Sequence, residues 1–183
     1  ENNSDYEVSS PLSGVITAMA PVDDVTESVT PELNTSDDTC ILMIKLNNKN
    51  RLAGSIFSEI TETKYQQTPD IDNIEVFEKL FSGIQNLLKN KKILAMHDIS
   101  DGGLITTLLE MCFTKKVGMR LNLDDSSGVN EFLFSEEIGF AIQIKKNNLD
   151  EVTNTLTNEN IYVKNIAEII DGEQFSIFKN DSE

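Results

Sequence analysis

Basic residues are scarce in this sequence. Lys and Arg number 15 against 31 Asp and Glu, a formal net charge of −16 over 183 residues. That deficit argues against nucleic acid as a partner, because such affinity comes largely from Lys and Arg neutralising phosphates. The acidic residues are spread along the chain rather than gathered in a block, which reads as a solvated acidic surface. A protein of this charge that handles phosphates needs a metal ion or backbone amides to do so. Cysteine is nearly absent too. Cys40 and Cys112 make no disulfide framework, and no Cys/His pair has the spacing of zinc ligands. Unpaired cysteines fit a reducing, cytoplasmic setting. With one histidine, His97, the sole pairing open to a Cys/His nucleophile is Cys112 with His97. No apolar run reaches the ~18 residues of a membrane span and no basic-then-apolar leader is visible, so no membrane role is expected. The opening ENNSDYEVSSP lacks Met and reads as a linker. The expected organisation is a linker over residues 1–10, one domain over 11–179 and a frayed tail over 180–183, within a longer parent chain.

Apolar content is 39%, enough for a core with polar, irregular ends. GVITAMAPV (14–22) is β-branched and apolar and predicts a strand. CILMIKL (40–46) is a nearly continuous apolar run, as in a strand buried on both faces. LAGSIFSEI (52–60) predicts a short helix, and YQQTPDIDN (65–73) a loop broken at Pro69. Ile74, Phe77, Leu80, Phe81, Ile84, Leu87 and Leu88 follow steps of three and four, the pattern of an amphipathic helix with its aromatics in the core. A strand at 93–96 and a helix over about 102–113 follow, the latter burying Leu104, Leu108, Met111 and Cys112. MRLNL and FAIQI alternate as half-buried strands do, with DDSSG between them as a surface loop. A helix turning Leu149, Val152 and Leu156 inward precedes the strand-like IYVKNIAEII and QFSIF. Helices and strands in this order predict an α+β fold, a mixed sheet with helices layered on it.

The chemistry concentrates in HDISDGG (97–103), where an apolar strand ends and a helix begins. A helix start presents unpaired N–H groups and the positive end of its dipole, so it favours negative groups. Gly102 and Gly103 lack side chains, which lets a phosphate approach the backbone. Ser100 can cap the helix or donate to a phosphate oxygen. Asp98 would repel a bare phosphate, yet it is a good hard-oxygen ligand for Mg²⁺, which bridges carboxylates and nucleotide phosphates. The same residues also suit a well-capped helix with no ligand at all. His97 reads as a structural residue at a strand end, and the neighbours Glu136 and Glu137 read as a surface turn.

These residues resemble a known family. HDISDGGLITTLLEMCF is similar to the HDxSDGGL…TLAEMAF signature of phosphoribosylformylglycinamidine synthases. Further blocks agree in order: SSPLSGVITAMAPVDDV (9–25), NRLAGSIFSEI (50–60), PDIDNIEVFEKLFSGIQNLL (69–88) and LFSEEIGFAIQI (133–144). The resemblance implies the second of two aminoimidazole ribonucleotide synthetase-like C-terminal domains in a ligase of purine biosynthesis. That enzyme uses ATP and glutamine to convert formylglycinamide ribonucleotide to formylglycinamidine ribonucleotide. Paired synthetase domains would hold one working and one auxiliary nucleotide, ATP or ADP with Mg²⁺. By resemblance Asp98 is a metal ligand of the auxiliary site and Ser100 a nucleotide contact, with Asp101, Gly102 and Gly103 completing the loop. The partners implied are the other synthetase domains and a glutaminase domain of the parent. With His97 engaged at the corner, no Cys–His–Glu set remains here for glutamine hydrolysis. The sequence departs from the family at Ala53, where a glycine is usual, and at Ser135, where an asparagine is. No ligand is assigned to Arg51 or Ser55. Two alternatives stand beside this reading: a structural domain whose nucleotide locks domain packing, and another ATP-binding synthetase of the same superfamily.

Overall fold

The computed structural model describes residues 13–22, 24–36, 38–123 and 128–179. The expected linker, the 124–127 part of the DDSSG loop and the tail lie outside them. Among the described residues the strands are β1 (Thr39–Lys45), β2 (Ala95–Asp98), β3 (Gly118–Leu123), β4 (Gly139–Lys145), β5 (Tyr162–Ile170) and β6 (Phe175–Lys179). The helices are α1 (Ile56–Ile60), α2 (Ile74–Lys89), α3 (Gly103–Lys115), α4 (Val129–Phe134) and α5 (Leu149–Thr157).

The strands form one six-stranded sheet in the order β2-β4-β1-β5-β3-β6. Neighbours run antiparallel except β3 and β6, which are parallel. The sheet is therefore mixed, as expected of the α+β reading. β1 lies in the middle and every one of its residues is buried. Its side chains divide with the two-residue period of a strand. Ile41 and Met43 join a core with Leu104, Leu108 and Met111 of α3 and Phe132 and Leu133 of α4. Cys40, Leu42 and Ile44 join a second core with Leu80, Ile84 and Leu87 of α2 and Val152 and Leu156 of α5. Helices thus cover both faces, which is why the apolar run of β1 is continuous. Each such side chain contributes roughly 1.5–3 kcal/mol by leaving water.

The same covering changes the reading of β4. Alternation through Phe140, Ile142 and Ile144 predicts a half-buried strand, but Ala141 and Gln143 between them are buried as well. Gln143 is fully enclosed, and its amide pairs with the backbone of Asn34, accepting from Asn34 N at 2.7 Å and donating to Asn34 O at 2.7 Å. The side chain imitates a peptide group and ties down the segment before β1. Leu33 there is a core residue, and Met96 N donates to Thr30 O at 3.1 Å.

Two apolar expectations fail. Residues 14–22 form no strand; Val15, Ile16 and Met19 are almost fully exposed. β-Branched composition favours a pleated, half-buried surface, and the described residues offer this segment no sheet partner. In α2 the buried stripe is Leu80, Ile84 and Leu87, whereas Ile74 and Phe81 are largely exposed. At 3.6 residues per turn these two lie about 100–120° round from Leu80, on the flank of the stripe. The close neighbour of α2 is α5: a Cβ on Gly83 would come within 2.9 Å of Leu156.

Candidate functional site

β2 ends at Asp98 and α3 begins at Gly103, so the HDISDGG corner is a strand-to-helix turn as expected. Ile99 points inward, while Ser100 and Asp101 are exposed. The turn closes when Gly103 N donates to Ser100 O at 2.9 Å. Ser100 is not the cap. Gly102 holds the cap position with φ of 85° and offers no side chain. Its N–H instead donates at 2.9 Å to Glu136 Oε1, which also accepts from Ile56 N at 3.0 Å. One carboxylate oxygen, supplied from the turn before β4, thereby satisfies backbone donors at the starts of both α3 and α1.

The glycine pair has a conformational reason. Gly103 has φ of 72°, and a Cβ there would stand 2.6 Å from the carbonyl carbon of Phe134. Its bare backbone lets α3 pack against the end of α4. With both amides engaged inside the chain, what the pair contributes at the surface of the corner is shape.

Asp98 is exposed at the corner, and His97 beside it is largely covered. The Asp98 side chain is 66% exposed and that of His97 17%. His97 Nδ1 lies 2.9 Å from the carbonyl oxygen of Asp98 and 3.2 Å from its Oδ1. Nε2 lies 2.9 Å from Glu110 Oε2 on α3. Thr107, also on α3, donates to the same Asp98 carbonyl at 3.0 Å. Cys112 takes no part. It is buried in the α3 core, and burial pushes its thiol up to about 11. The structure therefore brings His97 to two carboxylates and not to the thiol, which removes the nucleophile pairing.

Glu136 and Glu137 are corrected most. Adjacent residues point in different directions here: Glu136 to the helix starts, Glu137 into the interior, where it is 2% exposed. Glu137 accepts from Arg51 Nε at 2.6 Å, Arg51 Nη2 at 2.7 Å and Arg51 N at 3.1 Å. Arg51 also reaches Asp72 Oδ1 at 3.2 Å and Asp70 O at 3.0 Å. Hydrogen bonding to Glu137, opposed by burial, raises the guanidinium further above its ordinary range. Ser55 caps α1, accepting from Ser58 N at 3.2 Å. Ser135 donates to Arg51 O at 3.2 Å. Arg51, Ser55 and Ser135 thus serve as a frame behind the corner. Sequence reasoning had no local signal for this frame, since Arg51 and Glu137 are 86 residues apart.

As a metal site the corner is partial. Among the described residues no group of three or more His, Cys, Asp or Glu side chains is placed to hold a metal ion. Asp98 fits as a single contributed ligand: a hard carboxylate oxygen, mostly exposed, at the end of a strand on the sheet's edge.

Residues 38–180 match the family model described as AIR synthase related protein, C-terminal domain. The chain belongs to this family. Solved structures of similar fold include PurL from Thermotoga maritima complexed with FGAR, at TM-score 0.72 and 11% identity over 86% of this chain and 28% of that one. PurLQS from the same organism matches at TM-score 0.66 and 12% identity, over 86% and 26%. Thiamine-monophosphate kinase from Stenotrophomonas maltophilia matches at TM-score 0.54 and 12% identity, over 86% and 54%. The chain spans about a quarter of the length of the PurL chains it matches. Within the family match lie β1 to β6 and the whole HDISDGG corner; the exposed segment at 14–22 lies outside it.

Proposed function

We propose that this chain is the second AIR synthase-like C-terminal domain of a phosphoribosylformylglycinamidine synthase. The parent would convert formylglycinamide ribonucleotide, ATP and glutamine to formylglycinamidine ribonucleotide in the cytoplasm. The domain's part is half of a Mg²⁺–nucleotide site at the HDISDGG corner. Asp98 supplies an oxygen to Mg²⁺, which neutralises phosphate charge that an acidic protein would otherwise repel. Ser100 and Asp101, both exposed at the turn, would contact the nucleotide, and Gly102 and Gly103 give the turn its shape.

The observation that carries this reading is the exposed Asp98 carboxylate beside the start of α3, in a stretch that resembles the synthase signature. Family membership supports the ATP-handling part. The remaining ligands and the ribonucleotide contacts belong to other synthetase domains of the parent, and glutamine hydrolysis to a separate glutaminase domain. The isolated domain is then inactive. A second reading, another ATP-using member of the family, is favoured by the likeness to thiamine-monophosphate kinase.

The test is the nucleotide released on denaturing the purified full-length parent, wild type against Asp98→Ala. Stoichiometric ADP or ATP in the wild type, lost in the variant, is the expected result. Equal content in both would make the corner a piece of architecture. Glutamine-dependent turnover of formylglycinamide ribonucleotide separates the synthase from its relatives.

A further inference from the structure

Glu110 lies within the HDISDGGLITTLLEMCF stretch, where no role was assigned to it, and it completes a chain of contacts ending at Asp98. It sits on α3 with its side chain 53% exposed, and Oε2 meets His97 Nε2 at 2.9 Å. The opposite ring nitrogen faces the Asp98 carbonyl at 2.9 Å and Asp98 Oδ1 at 3.2 Å. Both nitrogens therefore face oxygen acceptors, which fixes the plane of the imidazole from two sides. Thr107 holds the Asp98 carbonyl from α3. An exposed aspartate at a strand end otherwise samples several rotamers, and freezing a side chain on binding costs free energy. Here Oδ1 stands 3.2 Å from Nδ1, an ion pair when both ring nitrogens carry protons, while the carboxylate stays two-thirds exposed.

The geometry points to Glu110 as a positioning residue: acting through His97, it holds the Asp98 carboxylate in the direction in which that group meets a divalent cation. This rests on the assignment of Asp98 to a Mg²⁺–nucleotide site above. Partners behind a metal ligand fix its orientation, and their loss typically lowers metal affinity by about 10–100-fold.

The experiment uses the full-length parent carrying Glu110→Ala, Glu110→Gln or Asp98→Ala. Bound nucleotide is measured after equilibration across a Mg²⁺ series, alongside the thermal midpoint of each protein. Glu110→Ala should raise the Mg²⁺ concentration for half retention by about 10-fold. Glu110→Gln, whose amide oxygen still accepts from Nε2, should return most of the way to wild type. A wild-type Mg²⁺ dependence in Glu110→Ala, with nucleotide lost in Asp98→Ala, would overturn the positioning role and leave the site standing. Equal shifts in the Ala and Gln variants would assign the effect to charge alone and also overturn it. Full retention in Asp98→Ala would remove the site itself.

Discussion

Glu137 grips Arg51 at both ends of its carboxylate, Oε1 to Nε at 2.6 Å and Oε2 to Nη2 at 2.7 Å, inside the protein. A buried pair of this kind stabilises little against an apolar replacement, but breaking it by removing one partner strands a charge. Glu137→Gln should lower stability by about 3–5 kcal/mol, read from urea unfolding. Arg51→Met combined with Glu137→Leu should be less harmful than the single change. A single variant within experimental error of wild type would show that the pair is solvated.

Lys45 lies beside this pair and is also buried, donating to Lys49 O at 2.5 Å and Asn50 Oδ1 at 2.6 Å. Burial pulls its ammonium down to about 8, with Glu137 opposing the change and Arg51 reinforcing it. Between that value and the ordinary 10.5, the unfolded chain keeps a proton that the folded chain has released. Stability from this group therefore rises with pH across the window, by up to about 3 kcal/mol. Urea midpoints at pH 7.5 and 10 should show the rise in wild type relative to Lys45→Met. Parallel behaviour of the two proteins would refute it.

Gly103→Ala combines a positive φ with a Cβ driven against the backbone of Phe134. The backbone conformation alone costs about 1–2 kcal/mol for an alanine, and the clash adds to it. Calorimetry should show a loss greater than that for Gly14→Ala, where the added carbon meets nothing. Equal losses would mean that α4 moves aside freely.

Cys112 should resist alkylation. A thiol raised to about 11 by burial has little thiolate at pH 8, and Cys40, also buried, is raised as well. Native protein treated with iodoacetamide should carry no label until denaturant is added. Rapid native labelling of Cys112 would reopen a nucleophilic role.

Much of the fold is legible in local pattern. The apolar faces of β1, α3 and α5 follow from residue spacing because a strand repeats every two residues and a helix every 3.6. The corner is legible too, since glycines after a short apolar strand mark a change of backbone direction. Where pattern misleads, a neighbour is the reason. Residues 14–22 have strand composition and no sheet partner among the described residues. Phe81 keeps helical spacing but lies on the flank of the buried stripe and is largely exposed.

By itself the sequence determined which stretches bury which face, where the strand-to-helix turn falls, and that acidic surface must enlist a cation or amides to meet a phosphate. Only the tertiary structure decided that Glu136 satisfies two helix starts, that Glu137 turns inward to Arg51, and that Glu110 reaches Asp98 through His97. Periodicity records the environment of each residue's own element. A buried charge is settled by a partner that here stands 86 residues away, and that choice exists once the sheet has brought the two together.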